Sequence, residues 1–322
     1  MATLFASSEW AADDHAAAFT VFQASARAML SGSPELRSGL APSNALLDVA
    51  KQAADAGSLA RSDARRFFET YLKPATPLEG FMTGYYEPEF EARTAPDGVW
   101  LYPLRRPPSS LADLPDRADI ENGLIDRSAP PFVWFRDPLE PFLIQVQGSA
   151  RLDLGAGAAM RLIYAGRNGK PYTSIGKALV EAGVLSAADV DLEAIRRVFA
   201  ADPDLARSTM RLNRSYVFFN PRPVLETDGG PIGAQGLALT PQRSVAIDRT
   251  LYSYGTLIWL NGQRPSPEGD QIFSQLCVAQ DTGSAIVGAG RVDLFWGHGL
   301  EAEALAGRTR HGVGFTVLEP VL

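Results

Sequence analysis

The sequence predicts a mainly β protein of the α+β class, with a helical layer at its N-terminus and a small β-barrel towards its C-terminus. Two patterns predict it. Over residues 1 to 73, apolar residues recur at helical spacing, as in "DDHAAAFTVFQASARAML", where Phe19, Phe22, Ala26 and Leu30 fall three or four apart. From residue 78 the chain changes to short β-branched or aromatic runs separated by Gly, Pro or Asp. That is the pattern of strands and tight turns, not of an alternating βαβ array.

In the helical part, Ser43 is placed to cap "NALLDVAKQAADA" and Gly57 to end it. Ser62 is placed to cap "DARRFFETYL", which Pro74 should stop. The first β-prone stretch is "EGFMTGYYEPEFEAR", broken at Pro88, followed by the short strand "VWLYPLRRPP". "PFVWFRD", "PFLIQVQGSARLDL" and "MRLIYAG" read as further strands between Asp-Pro, Gly-Ser and Gly breaks. "TSIGKALVEAG" reads as a helix ended by Gly183. "SAADVDLEAIRRVFAADPDLARSTMRLN" reads as two or three short helices, with Ser186 and Asp189 forming a capping-box-like start. "RSYVFFN" returns to a strand, and the Pro- and Gly-rich "PRPVLETDGGPIGAQG" suits a domain crossing. The final strands are "LALTPQRSVAID", "TLIWL", "DQIFSQLCVAQD", "GRVDLFWG" and "GVGFTVLEP".

At 322 residues the chain is long enough for one large or two ordinary domains. Its 46% hydrophobic and 21% charged residues can build a real core. A net charge of −7 argues against non-specific nucleic-acid binding, which needs a basic face, and leaves a neutral sugar polymer open as a partner. Cys277 is the single cysteine, so an internal disulfide is excluded, and its apolar setting in "IFSQLCVA" reads as a core thiol. His15, His298 and His311 are too sparse for a metal motif, and no metal or organic cofactor is expected. No apolar run is long enough for a membrane span. "MATLFASSEWAADDHAAAF" has neither the basic region nor the long apolar core of a signal peptide.

Three aspartates mark the last third: Asp248 in "SVAID", Asp281 in "VAQD" and Asp293 in "GRVD". Each follows an apolar run, so a barrel can gather them at one rim. Such residues either form turns or, held close together, repel so that one keeps its proton to higher pH and becomes a general acid. Tyr85, Tyr86, Phe295 and Trp296 either stack on sugar faces or belong to the core. "QVQGS" read as a strand puts Gln145 and Gln147 on one face, either satisfying each other or gripping a ligand. "GRNGKPYTSIGK" combines an Asn168-Gly169 turn with a helix start but lacks the Walker spacing.

Taken in order, "GYYEP", "YPLRRPP…LPDRADIENG", "IQVQGSARL", "YAGRNGKPYTSIGKAL", "SYVFFN", "LTPQRSVAID" and "QDTGSAIVGAGRVDLFWGHGLEAEALAGRTRHG" closely resemble the MltA family of membrane-bound lytic murein transglycosylases. The resemblance runs from about residue 80 to the end. It implies a double-psi β-barrel, formed by residues 1–87 and 224–322 together with the N-terminal helices. A second β-rich domain, residues 88–223, is implied as an insertion, with a glycan groove between the two. The C-terminal part resembles the 3D domain, whose three aspartates map onto Asp248, Asp281 and Asp293, with Asp293 the implied catalytic acid.

The resemblance also implies the reaction. The β-1,4 bond between N-acetylmuramic acid and N-acetylglucosamine in peptidoglycan is cleaved without water, leaving a 1,6-anhydro ring. Thr83, Gly84, Tyr85 and Gly283, with Gln147, Ser149, Tyr172 and Ser174 of the insert, are the expected substrate contacts. Peptidoglycan strands are the expected partner, with a cell-wall synthesis complex as a further one, and a monomer the expected state. The expected location is the periplasm or cell envelope, in association with the outer membrane, although the chain shows no signal peptide or lipoprotein cysteine. The rival readings are a non-catalytic peptidoglycan-binding barrel and an inverting polysaccharide hydrolase.

Overall fold

The computed structural model describes residues 4–224 and 229–321. It divides into two compact units, one comprising the chain up to Tyr86 and from Gly229 onward, the other beginning at Glu87. After a 3-10 turn at Leu4–Ala6, the helices of the first segment are α1 (Ser8–Ala12), α2 (His15–Ser31), α3 (Asn44–Asp55) and α4 (Arg61–Tyr71). Strands β1 (Leu72–Pro74) and β2 (Leu78–Glu87) follow. The second unit holds β3 (Glu89–Glu91), β4 (Tyr102–Arg105), α5 (Arg117–Glu121), β5 (Pro131–Phe135), α6 (Leu139–Gln147), β6 (Ser149–Gly155) and β7 (Ala158–Arg167). It ends with α7 (Ile175–Glu181), α8 (Leu192–Ala201), α9 (Pro203–Leu212) and β8 (Val217–Pro223). The chain then returns to the first unit with β9 (Ser244–Ala246), β10 (Leu257–Ser266), β11 (Gly269–Asp281), β12 (Arg291–His298), α10 (Gly299–Arg308) and β13 (Arg310–Pro320).

Side-chain caps start the first helices where the sequence supplies them. Asp14 accepts from Ala17 N–H at α2, and Ser43 accepts from Leu46 N–H at α3. The cap expected from Ser62 does not form. Helix α4 begins two residues earlier, at Arg61 behind Ala60, and has no side-chain cap. Nor does Pro74 end this helix, because residues 72–74 leave it to pair antiparallel with β13. On α2, Phe19, Phe22 and Ala26 are buried as expected, but Leu30 is 39% exposed. Met29 takes the inward position instead and packs against the core.

These helices bury Phe19, Phe22, Phe67 and Phe68 with Trp10 against Trp259, Leu276 and Val278 of the barrel. Asp13 locks the layer in place. Its carboxylate pairs with Arg243 at 2.8 Å and accepts from Leu276 N–H at 3.0 Å. All three groups are buried, so each depends on the others for its hydrogen bonds.

The barrel is a closed ring of six strands in the order β13, β10, β11, β9, β12, β2, with β2 pairing back to β13. Closure leaves none of the six with an unpaired edge. Strand β9 runs parallel to β11 and antiparallel to β12. The interior is filled by Met82, Val245, Ile258, Leu260, Val292, Leu294 and Phe315, and by Cys277, which is fully buried.

The second unit has a four-stranded sheet, β3-β6-β7-β8, and the pair β4-β5. Its polar interior is tightly matched. Arg161 holds Glu87 through two hydrogen bonds of 2.9 and 3.0 Å, with both side chains buried. Residues 141–147, the first half of the expected strand "PFLIQVQGSARLDL", belong instead to helix α6. A short continuous apolar run does not distinguish strand from helix. Here Asp137 Oδ1 accepts from Leu139 N–H at the start, and Gly148 closes the end at φ +84°. Gln145 and Gln147 therefore point in different directions. Gln145 is buried and accepts from Arg117 Nη2 and Val217 N–H. Ser186 and Asp189 bond to each other as expected, but around a turn, since α8 starts at Leu192 behind its cap Asp191.

Candidate active site

Strand β9 places the acids. In the β11–β9 ladder Asp281 pairs with Ala246, and in the β12–β9 ladder Asp293 pairs with the same Ala246. The two acids thus stand on either side of one residue, about 10 Å apart along the sheet. Asp248 lies two residues beyond Ala246, where β9 ends.

The three carboxylates meet different surroundings. Asp248 Oδ1 accepts from the Thr250 N–H and hydroxyl at 3.0 and 2.7 Å, and its Oδ2 accepts from Gly288 N–H at 2.8 Å. The Thr250 hydroxyl and the Gly288 amide hold it below the usual carboxylate range. Asp281 Oδ1 accepts from Ala234 N–H at 2.9 Å and Thr282 N–H at 2.8 Å, and its Oδ2 accepts from the Tyr85 hydroxyl at 3.0 Å. Burial still pushes it up, with Arg37 opposing.

Asp293 is the least engaged. Its Oδ1 accepts one hydrogen bond, 2.5 Å from Thr83 Oγ1 on the adjoining β2, and Oδ2 accepts none from the described residues. Burial raises it to about 6, and the charge of Asp281 pushes the same way. Thr83 and Arg291 oppose the rise. A carboxyl that titrates near 6 can both give and take a proton near neutral pH.

The other first-unit residues have defined places. Tyr85 is buried, its ring 5.3 Å from that of Phe295. Tyr86, Phe295 and Trp296 are buried as well, and Trp296 Nε1 donates to Thr309 Oγ1. Of the two alternatives for these rings, burial favours the core: Tyr86 and Trp296 pack inside the barrel, whereas Tyr85 and Phe295 form a separate cluster with Leu239, Ala246 and Ile286. Gly84 faces Trp296, and a Cβ there would come within 2.6 Å of the indole nitrogen. Gly283 follows Asp281 in a loop whose Ile286 lies 3.0 Å from where its Cβ would stand.

In the second unit, Gln147 ends α6 and is half-buried, and Ser149 begins β6 and is buried. Tyr172 is 37% exposed, in a loop anchored where Asn213 Oδ1 accepts from Thr173 N–H. Ser174 caps α7 by accepting from Lys177 N–H. Two participants escaped the sequence reading. Arg291 lies two residues before Asp293 on β12, a spacing that puts both on one face. Arg37, whose Nη1 donates to Thr282 O, comes from the segment between α2 and α3, where no local pattern signals it.

Among the described residues, no group of three or more His, Cys, Asp or Glu is placed to hold a metal ion. No helix among them is long and apolar enough to cross a membrane.

Residues 81–220 match the MltA specific insert domain, and residues 243–319 match the 3D domain. A membrane-bound lytic murein transglycosylase from Agrobacterium tumefaciens superposes with a TM-score of 0.84 at 31% identity, over 97% of this chain and 95% of that one. The chain belongs to the MltA family. The crystal structure of Escherichia coli MltA with bound chitohexaose is a further relative, with a TM-score of 0.74, 27% identity, and coverage of 94% of this chain and 90% of that one. Membrane-bound lytic murein transglycosylase A of Vibrio cholerae serotype O1 is 34% identical over 237 residues, 71% of this chain. That match spans 62% of the Vibrio cholerae protein. The six-strand barrel with added sheets and helices is the α+β, mainly β fold expected of an MltA protein.

Proposed function

We propose that this chain is a lytic transglycosylase that cleaves the β-1,4 bond between N-acetylmuramic acid and N-acetylglucosamine in peptidoglycan. Asp293 serves as its single acid and base. The observation that carries the reading is the contrast among the three acids. Both oxygens of Asp248 and of Asp281 accept hydrogen bonds from the protein, whereas Asp293 Oδ2 accepts none from the described residues. Asp293 also titrates at about 6.

Protonated Asp293 gives its proton to the glycosidic oxygen as the bond from that oxygen to the muramoyl C1 breaks. The muramoyl C6 hydroxyl bonds to C1 and closes the 1,6-anhydro ring. Its proton passes to the Asp293 carboxylate, which returns to its starting state. Because the nucleophile belongs to the substrate, proximity takes over the work of a bound water. An inverting hydrolase would need a second carboxylate available to activate water. Asp281 and Asp248, already engaged by the protein, suit a supporting role: Asp281 adjusts the charge around Asp293, and Asp248 holds the loop at Gly288.

Chitohexaose, the ligand of the Escherichia coli relative, is a β-1,4-linked N-acetylhexosamine chain, and this supports a glycan substrate. Thr83, Gly84, Tyr85 and Gly283 of the first unit, and Gln147, Ser149, Tyr172 and Ser174 of the second, are the proposed substrate contacts. A cell-envelope location follows from the substrate and from the membrane-bound relatives. The test is digestion of purified sacculi with the wild-type protein, followed by mass spectrometry. Products ending in 1,6-anhydromuramic acid support the proposal. Free reducing ends would identify a hydrolase, and binding without release a non-catalytic barrel.

A further inference from the structure

Arg291 Nη2 donates to Thr83 Oγ1 at 2.7 Å, and Thr83 Oγ1 donates to Asp293 Oδ1 at 2.5 Å. Arg291 is held for this task. Its Nη1 donates to Val292 O at 2.6 Å and to Phe81 O at 3.4 Å, and its guanidinium lies 5.5 Å from the centre of the Phe81 ring. The Thr83 hydroxyl makes no other hydrogen bond among the described residues.

A hydroxyl has one proton to give. With Arg291, which only donates, aimed at its oxygen, Thr83 directs that proton to Asp293 Oδ1. A proton on Oδ1 would aim a second donor at the same hydroxyl and leave the Thr83 proton without an acceptor. We infer that Arg291 and Thr83 are positioning residues that confine the transferable proton of Asp293 to Oδ2, the oxygen that makes no hydrogen bond to the described residues. The inference rests on Asp293 as the proton donor, and it names the oxygen from which the proton leaves and to which it returns. The other charged or titratable groups acting on Asp293 are Asp281 on β11 and Tyr85 on β2. Neither donates to its carboxylate.

Thr83→Val, Thr83→Ser, Arg291→Met and the Thr83→Val/Arg291→Met double variant test it, with two readouts. The first is an NMR titration of the Asp293 carboxyl carbon in the free protein. The second is kcat for product release from sacculi on the low-pH plateau, where Asp293 is protonated in every variant. In Thr83→Val, Asp293 titrates above its wild-type value, and plateau kcat falls about tenfold with little change in KM, as for one lost hydrogen bond to a charged group. Thr83→Ser restores both. Arg291→Met lowers plateau kcat by a similar factor, and the double variant falls by less than the product of the two single losses, since Arg291 acts in part through the hydroxyl.

A wild-type titration in Thr83→Val overturns the inference, as do single losses that multiply in the double variant. If the wild-type protein released nothing from sacculi, the proposed activity would fail on its own, and the titration arm would still decide the hydrogen-bond chain.

Discussion

The Tyr85 hydroxyl donates a hydrogen bond to Asp281 Oδ2 across 3.0 Å, joining residues 196 positions apart in the chain. This bond helps keep Asp281 ionised against its burial, and the charge of Asp281 helps hold Asp293 up. Tyr85→Phe removes the donor and leaves Asp281 Oδ2 bare in a buried setting. Asp281 should then hold its proton to higher pH. With less negative charge beside it, Asp293 should titrate lower, so the alkaline limb of the rate profile shifts towards acid. Stability should fall by about 1–3 kcal/mol, the penalty for one unsatisfied buried group. A pH–rate profile and a denaturant titration check the two outcomes.

Asp293 should make the protein less stable as pH rises. In the folded state its proton is retained up to about 6, against an ordinary value of 3.8. Between those values the folded state binds more protons than the unfolded one, so stability declines as pH increases. Asp293→Asn removes the titrating group and should abolish this decline. Relative to wild type, the variant should gain up to about 3 kcal/mol between pH 4 and pH 8, the scale set by the shift. Denaturant unfolding at the two pH values measures it.

Asp248 contributes in the opposite sense. Its folded value is lowered, so the stability it lends is present above its ordinary range and is lost as pH falls through the folded value. Asp248→Ala frees the Gly288 amide and the Thr250 hydroxyl. We expect a loss of about 1–3 kcal/mol at neutral pH and faster hydrogen exchange at Gly288, with the chemistry of Asp293 retained. A variant as inactive as Asp293→Asn at undiminished stability would assign Asp248 a chemical role.

Gly84→Ala should destabilise the barrel through packing alone. The added methyl would lie 2.6 Å from Trp296 Nε1 and 2.9 Å from the Ala306 backbone. Overpacking of this kind costs about 1–3 kcal/mol, and a thermal melt would show it as a lower Tm.

Much of this was legible in the sequence, because the signals are local. The helix cap Ser43, the strand runs from β10 to β13, and the three aspartates all announce themselves within a few residues. Helix α6 is not legible from period, because its apolar run "PFLI" is too short to carry one, although Asp137 and Gly148 punctuate it. The "EAEALAG" stretch of α10 went unread as a helix between two strands. What decides the state of Asp293 is not local. Thr83 reaches it from 210 residues away. Burial, its largest influence, depends on how the whole barrel closes. Arg291 was within reach of a period-two argument, and Arg37 was not, since nothing in an irregular segment tells where the fold will carry it.

The most direct test of the central claim compares wild type and Asp293→Asn in the digestion of purified sacculi, with products identified by mass spectrometry. The wild-type protein should release muropeptides ending in 1,6-anhydromuramic acid, and the folded variant should release none above background. Release of the same anhydro products by Asp293→Asn at a comparable rate would show that another group carries the proton.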